Sequence, residues 1–295
     1  GGRPVRSWDE RGHAFRTGYD PARRPVRTYV NDRLTERIVY GEQHPDGAAH
    51  NLRGRSWLQL DQAGAATTDR CDAKGNVTAT TRRVTTGYAD EPDWSAVDAL
   101  VPADATVVVD GADLDDALGA VLEAEAFTTT TAYDALDRVT ALTAPDTSVV
   151  RPGYNAANLL ERVDVDLPAL DGGAPVRTPF VTDIDYDANG RRERIVYAAG
   201  AGVTTTYTYD WFTKRLSRLT TRREAAAFPE DCPEPSRAGW PGCGLQDLRY
   251  TYDPVGNLTH IVDAAQQAIF FRNARVEPSS DYTYDALYRL VEATG

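Results

Sequence analysis

Residues Thr204 to Leu219 read Thr-Thr-Thr-Tyr-Thr-Tyr-Asp-Trp-Phe-Thr-Lys-Arg-Leu-Ser-Arg-Leu. Side chains of an extended chain alternate between two faces, so Thr205, Tyr207 and Tyr209 would share one face of a strand. Thr and Tyr are both favoured in strands. Asp210 suits the first position of a type I turn. The stretch therefore predicts a strand, a turn and a returning strand.

The same unit, Tyr-Asp followed by a turn and then Arg or Asn, recurs along the chain. Where it is uninterrupted, its spacing is about 20 residues, which is typical of a repeat architecture. A Gly three positions after the Asp suits the left-handed conformation that closes a three-residue hairpin loop. The repeat-defining residues are Tyr133, Asp134, Tyr154, Asn155, Tyr186, Asp187, Gly190, Tyr209, Asp210, Tyr252, Asp253, Gly256, Tyr284 and Asp285.

Some repeats depart from this pattern. Cys71 stands where the repeat has Tyr, whereas Asp137, Asn158 and Tyr288 stand where it has Gly. Asn and Asp tolerate a positive φ, but a Tyr would be strained there. We therefore expect the turn after Asp285 to be of another type. Cys71 is expected to be a buried strand residue.

These repeats resemble those of the YD-repeat, or RHS-repeat, family of large bacterial secreted proteins, to which the teneurins are distantly related. The resemblance covers roughly Gly54 to the last residue. Shorter runs are similar to the central part of the B component of Tc-type insecticidal toxins and of SpvB-like toxins. They are Asn51–Arg55, Asp61–Gly64, Leu122–Thr128 and Phe270–Asn273. The resemblance implies an all-β fold, in which a curved antiparallel sheet of hairpins forms part of a β-shell.

The same resemblance implies a function. The chain would be a structural segment of a secreted bacterial toxin, acting outside the cell as part of a shell that encapsulates a C-terminal toxic domain. Its partners would be the remaining repeats, that toxic domain and other subunits of a toxin complex. The alternative, as in the teneurins, is an extracellular adhesion or carbohydrate-binding module. The family's self-cleaving aspartyl protease site lies after the repeats and matches no part of this sequence, so no catalytic residue is predicted.

Composition sets further bounds. The chain has 295 residues, of which 41% are hydrophobic and 26% charged, enough for one large or two modest globular units. A net charge of −12 argues against nucleic acid and anionic membranes as partners. No apolar run reaches the roughly 18 residues that a membrane helix needs. Because Met is absent throughout, we expect a piece cut from a longer chain.

The sequence pattern divides the chain into four segments. Residues 1–53 are an irregular β lead-in, and residues 54–87 are the first, degenerate repeats. Residues 88–126 are a partly helical insertion, because Leu114, Leu118 and Leu122 stand at helical spacing. Residues 127–295 hold the remaining repeats.

A loop at residues 224–246 interrupts these last repeats. It is rich in Pro, which excludes regular structure, and it contains Cys232 and Cys243. In a secreted chain this pair predicts a disulfide that closes the loop, worth roughly 2–3 kcal/mol. The alternative is a pair of free thiols in a cytosolic protein.

Three patterns suggest chemistry, but each has a simpler explanation. Asp185, Asp187, Asn189 and Gly190 match half of a calcium loop, yet Val196 stands where a bidentate Glu is required. The run from Val107 to Asp113 suggests a catalytic Asp, but no partner Lys, Ser, Thr or phosphate-binding loop accompanies it, so it predicts a strand, a turn and a helix cap. His44 and His50 flank a turn and are a weak indication of a metal site. We predict no cofactor and no metal.

Overall fold

The structure, a computed structural model, describes residues 2–87, 89–102, 107–198, 202–224, 226–228, 231 and 244–295. The chain divides into two compact units, Gly1–Val150 and Arg151–Gly295. Both units consist mainly of antiparallel strands, so the predicted all-β fold is confirmed. The division into four segments stays a prediction. Cys232 and Cys243, with most of their loop, lie outside the described residues.

The first unit is an antiparallel meander in which each strand pairs with the next one along the chain. Its strands are β1 (Arg6–Trp8), β2 (Ala14–Tyr19), β3 (Pro25–Val30), β4 (Arg33–Tyr40), β5 (Ser56–Asp61), β6 (Gly64–Cys71), β7 (Val77–Val84), β8 (Phe127–Tyr133) and β9 (Val139–Thr143). Two helices, α1 (Ser95–Leu100) and α2 (Gly111–Gly119), lie between β7 and β8. Strand β10 (Val149–Tyr154) begins in this unit, where Val149 pairs with Thr143 of β9.

The second unit continues the same pattern of sequential antiparallel pairing. Its strands are β11 (Leu160–Leu167), β12 (Val176–Tyr186), β13 (Arg192–Tyr197), β14 (Val203–Tyr209), β15 (Leu216–Arg222), β16 (Gln246–Tyr252), β17 (Leu258–Asp263), β18 (Ile269–Phe271), β19 (Ala274–Val276), β20 (Ser279–Tyr284) and β21 (Leu290–Thr294). Strand β17 pairs directly with β20. The intervening β18 and β19 form a separate two-stranded hairpin.

The predicted helical insertion is confirmed, and its helices cover part of the first unit's sheet. Trp94, Val97 and Leu114 pack with Val39 and Leu58 of the strands in one hydrophobic core. The indole Nε1 of Trp94 also donates a hydrogen bond to the backbone carbonyl of Asp61 at 3.0 Å. Full burial of each large apolar side chain contributes about 1.5–3 kcal/mol, so the insertion is an integral part of the unit.

A buried ion pair fastens α1 to this sheet. The Arg37 side chain on β4 is 2% exposed, and its Nε donates to Oδ1 of Asp98 at 2.6 Å. Asp98 also accepts a hydrogen bond from Nε of Arg27 at 2.8 Å. The Nη1 of Arg37 donates to the backbone carbonyl of Val26 at 3.0 Å. Burial lowers the pKa of Arg37, which makes the Asp98 carboxylate its essential counter-charge.

We expect the substitution Asp98→Ala to lower the free energy of unfolding by about 3 kcal/mol, because it leaves a buried guanidinium uncompensated. Asp115→Ala, at an exposed position of α2, is the matched control and should change stability by less than about 0.5 kcal/mol. Urea denaturation followed by circular dichroism measures both. Equal shifts in the two variants would show that the ion pair does not hold the insertion.

Candidate functional site: the Tyr-Asp turns

The Tyr-Asp turns are the hairpin turns that follow the repeat tyrosines, at residues 133–138, 154–159, 186–191, 209–215, 252–257 and 284–289. In the turn at 186–191, Oδ1 of Asp187 accepts backbone N–H bonds from Asn189 at 2.8 Å and Arg191 at 2.9 Å. Its Oδ2 accepts a hydrogen bond from Nε of Arg191 at 2.7 Å. Gly190 has φ +77°, the left-handed conformation that the sequence predicts. The carboxylate therefore closes its own turn.

Most of the other turns repeat this arrangement. Oδ1 of Asp134, Asp253 and Asp285 accepts the backbone N–H of the residue four positions on. The side chain of that fourth residue, Arg or Asn, donates to Oδ2. Asn155 uses its amide oxygen in the same way, accepting from the backbone N–H of Leu159 at 3.0 Å. The turn thus requires a side-chain Oδ1 atom, from Asp or Asn, that accepts the backbone N–H four residues further on.

The expectation that the last turn differs is wrong. Tyr288 has φ +61°, and its N–H donates to the carbonyl of Asp285 at 2.9 Å, as Gly190 does to Asp187. The left-handed conformation costs a Tyr about 1–2 kcal/mol. The hydrogen bonds that Asp285 accepts hold the turn, and Tyr288 itself is 61% exposed.

The turn at 209–215 is one residue longer than the others, which the sequence analysis missed. The N–H of Asp210 donates to the carbonyl of Arg215, and Lys214 takes the positive φ of +60°. The extra residue presents Trp211 and Phe212 to solvent, with exposures of 77% and 87%. The Nζ of Lys214 lies 4.1 Å from the centroid of the Trp211 ring.

Four of the repeat tyrosines link their turn to an earlier repeat through the side-chain hydroxyl. Tyr186 donates to the carbonyl of Leu160 at 2.6 Å, Tyr209 to that of Arg192 at 2.9 Å, and Tyr284 to that of Leu258 at 2.9 Å. In the first unit Tyr133 donates to the carbonyl of Val77 at 3.0 Å. Each acceptor is the first residue of a strand that follows an earlier turn. This recurring geometry gives the Tyr before the Asp a structural role in these four repeats.

Arginine side chains add links between successive turns of the second unit. Nη1 of Arg191 donates to the carbonyl of Lys214 at 2.9 Å, and Nη1 of Arg215 donates to that of Asp253 at 2.9 Å. The Arg191 guanidinium also lies 4.5 Å from the centroid of the Tyr209 ring. Each turn is therefore tied to its neighbour by a hydroxyl, a guanidinium or both.

The turn carboxylates stay ionised at neutral pH. The hydrogen bond from the Arg191 side chain lowers the pKa of Asp187 to about 2, and Arg138 lowers the pKa of Asp134 in the same way. A carboxylate that is ionised and fully hydrogen-bonded is a poor general acid or base. The chemistry of these turns is structural: they hold strands in register.

The aspartates of the calcium-like and catalytic-like patterns make structural hydrogen bonds. Asp110 caps α2, since its Oδ1 accepts the N–H of Ala112 at 2.9 Å, although no strand precedes it in the described residues. Oδ2 of Asp185 accepts a hydrogen bond from Nε of Arg194 at 2.6 Å. The Asp187 carboxylate accepts hydrogen bonds from its own turn. Cys71 is fully buried at the end of β6, as predicted.

The two histidines that indicated a metal are close together. The ring centroids of His44 and His50 lie 5.4 Å apart, and Nδ1 of His44 accepts the N–H of Asp46 at 2.8 Å. Among the residues that the structure describes, no group of three or more His, Cys, Asp or Glu side chains is placed to hold a metal ion. In the same residues, none of the helices is long and apolar enough to cross a membrane.

In sequence, the chain is similar to subunits of bacterial toxins. It is 32% identical over 268 residues to toxin subunit YenC2 of Yersinia entomophaga, covering 90% of this chain and 24% of that subunit. It is 28% identical over 301 residues to toxin subunit YenC1 of the same organism, covering 99% of this chain and 27% of that subunit. The chain therefore spans about a quarter of the length of these curated relatives. No protein-family model matches it.

Solved structures show the same fold. The crystal structure of TcdB2–TccC3–Cdc42 matches with a TM-score of 0.64 and 26% identity, covering 100% of this chain and 12% of the matched chain. The crystal structure of TcdB2–TccC3 without its hypervariable C-terminal region matches with a TM-score of 0.62 and 25% identity, with the same coverage. These similarities agree with the family resemblance that the Tyr-Asp repeats carry.

The role of the tyrosine hydroxyl can be tested on β20, which carries two tyrosines. Tyr284→Phe removes the bond to the Leu258 carbonyl and should lower the free energy of unfolding by about 1 kcal/mol. Tyr282→Phe is the control, because no hydrogen bond joins the Tyr282 hydroxyl to another described residue. Thermal unfolding of the two variants provides the measurement. A loss of stability in both, or in neither, would contradict the link between repeats.

The ionised turns predict a loss of stability in acid. Because the pKa of Asp187 is depressed to about 2, its contribution to stability is complete above the unfolded value of about 3.9 and is lost as the pH falls through the folded value. Asp187→Asn should therefore melt at a lower temperature than the wild type at pH 7, and the gap should shrink below about pH 4 and close below pH 2. Glu193→Gln, at an exposed strand position, should keep the wild-type pH profile. A gap that is independent of pH would refute the role of the charge.

Proposed function

We propose, from the chain's homology to the toxin-complex subunits YenC2 and YenC1, that these residues are a wall segment of a β-shell that encloses a C-terminal toxic domain. The observation that carries the proposal is the meander itself, in which strand after strand is joined by Tyr-Asp turns and tied to its neighbour. In this proposal the segment works outside the cell as part of a larger toxin and has no catalytic role of its own.

A containing wall needs a continuous surface that does not open between strands. Backbone pairing runs through the sheet of each unit, and the turn edge is reinforced by bonds such as Tyr186 to Leu160 and Arg191 to Lys214. Repeats of this kind gain stability from their neighbours, because each one buries an edge of the one before. A sheet of such repeats can therefore be extended by further repeats without a separate hydrophobic core for each one, which a large shell requires.

The enclosed partner is suggested by the related structures. TcdB2–TccC3 has a hypervariable C-terminal region, and its crystal structure without that region retains the fold that this chain shares. We take the corresponding partner here to be a C-terminal toxic domain of the same or an associated polypeptide. Further repeats and other toxin-complex subunits would complete the assembly.

A second candidate is an adhesion or carbohydrate-binding module, and one observation favours it. Trp211 and Phe212 are exposed side by side on a turn that is longer than its counterparts. Exposed aromatic rings are common at binding sites, because they bury a large area at a low cost in side-chain entropy. For this candidate the turn, not the wall, would be the functional element.

Limited proteolysis of the intact polypeptide that contains these residues separates the two candidates. A wall predicts that the downstream domain resists a protease that rapidly digests the same domain produced alone. The double substitution Trp211→Ala and Phe212→Ala should leave both this protection and toxicity unchanged. Rapid digestion of the downstream domain in the intact polypeptide would overturn the wall. Loss of cell binding in the double variant, with its fold intact, would favour the adhesion module.

A further inference from the structure

The four histidines of the chain lie in two kinds of environment. Nδ1 of His13 and Nδ1 of His260 each lie 2.8 Å from an aspartate oxygen, which stabilises the protonated ring. Among the residues that the structure describes, no ion pair joins His44 or His50 to a carboxylate. Instead these two rings face each other, with their centroids 5.4 Å apart. Acid would therefore bring two positive charges together at this pair.

The hydrogen bonding of the pair leaves no place for a second proton at Nδ1. Nδ1 of His44 accepts the backbone N–H of Asp46 at 2.8 Å, so this nitrogen carries no hydrogen. Nδ1 of His50 is buried and has no hydrogen-bond partner among the described residues. Both nitrogens of a protonated imidazole carry hydrogen. Protonation would therefore break the bond from Asp46 and leave a buried N–H of His50 without an acceptor.

Two carboxylates near His44 act in the opposite direction and favour its protonation, Asp46 of the same loop and Asp69 of β6. Both oxygens of Asp69 are occupied, because they accept hydrogen bonds from threonine hydroxyls at 2.6 and 2.7 Å. Burial and the neighbouring ring of His50 outweigh these carboxylates and lower the pKa of His44.

The remaining groups around the pair are neutral, already paired or positive. Trp57 of β5 packs edge-on against the His44 ring, with the centroids 4.5 Å apart. The Cys71 thiol at the end of β6 is buried, which raises its pKa. Glu42 and Arg53 line a cavity together with His44, but Glu42 already has an ion pair at 2.8 Å. None of these groups provides a free counter-charge for a protonated pair.

The loop that carries both histidines, residues 41–55, joins β4 to β5 and is attached to two other parts of the first unit. The backbone carbonyl of Gln43 accepts the N–H of Val109, ahead of α2, at 2.9 Å. The backbone carbonyl of His50 accepts the N–H of Cys71 at 2.9 Å. A change in this loop therefore reaches both the helical insertion and the end of β6.

We infer that His44 and His50 form an acid-sensitive switch, in which protonation opens loop 41–55 and frees the segment before α2 from it. When the loop is open, a solvated histidine takes up a proton near its ordinary value of about 6.5. The closed loop resists that proton, so closure is unaffected well above pH 6.5 and becomes less favourable as the pH falls below it. The switch lies within the first unit and does not depend on the proposed wall.

Hydrogen–deuterium exchange of the intact polypeptide at pH 7.5 and pH 5.0 tests this inference. Labelling times are scaled for the intrinsic pH dependence of amide exchange, and a chelator removes metal ions that could bind the two rings. Peptides from residues 41–55 and 107–113 report on the switch. Peptides from β14 and β15, which contain no histidine, report on global unfolding.

In the wild type, we expect opening of residues 41–55 and 107–113 to increase about tenfold or more at pH 5.0, because proton uptake by the open loop favours it. Exchange from β14 and β15 should not change. The double substitution His44→Asn and His50→Phe should abolish the pH response, because neither new side chain titrates and Asn can still accept the N–H of Asp46. The two single variants, each expected to weaken the response, keep the test informative if the double variant does not fold.

His13→Gln is the matched control in the same unit and should keep the full response, because its ring is paired with a carboxylate. The inference is overturned if residues 41–55 are equally protected at both pH values in the wild type, or if the His44 and His50 variants respond as the wild type does. Acid opening of the loop without any change at residues 107–113 refutes the coupling to the insertion. An equal response of β14 and β15 would show global unfolding, which also contradicts a local switch.

Discussion

The structure depends on the hydrogen bonds that an aspartate makes to its own turn. Asp187 takes up backbone N–H groups that the tight loop leaves without partners, and it sets where the returning strand begins. A shift of one residue in that starting point would move every side chain of the strand to the opposite face. The turn thus fixes the register of β13, and with it the position of the Arg192 carbonyl that accepts the hydrogen bond from Tyr209 on β14.

Much of this repeat could be predicted from sequence, because alternation and turn residues are local signals. The strands, Gly190 at positive φ and Cys71 as a buried strand residue all follow from such signals. The hydrogen bonds of the Tyr hydroxyls could not be predicted, because their acceptors are backbone carbonyl groups, which every residue carries whatever its type. Tyr288 was misjudged because the hydrogen bonds of Asp285 outweigh the intrinsic preference of one residue. The pairing of Arg37 with Asp98 joins residues far apart in the chain, which pattern reasoning does not connect.

The segments that interrupt the repeats differ from one another in a way that bears on function. The insertion with α1 and α2 packs against its own sheet through Trp94, and the ion pair of Asp98 holds it there. Its large apolar side chains are therefore buried within the unit. The β18–β19 hairpin keeps its apolar surface exposed. The two insertions therefore differ in how much apolar surface they leave accessible to another element.

Arginine is the cation that makes this reinforcement possible. Lys74 and Lys214 are the only lysines of the chain, a bias that genomic base composition would explain without reference to structure. Yet the single guanidinium of Arg191 donates to Asp187, donates to the carbonyl of Lys214 and lies over the ring of Tyr209. An ammonium group cannot do this, because it is a compact charge without the planar array of donors. Whatever produced the bias, the turn at 186–191 uses the geometry of arginine, and a lysine at position 191 would keep the charge but could not make all three contacts at once, which would leave the Tyr209 hydroxyl bond to carry more of the link.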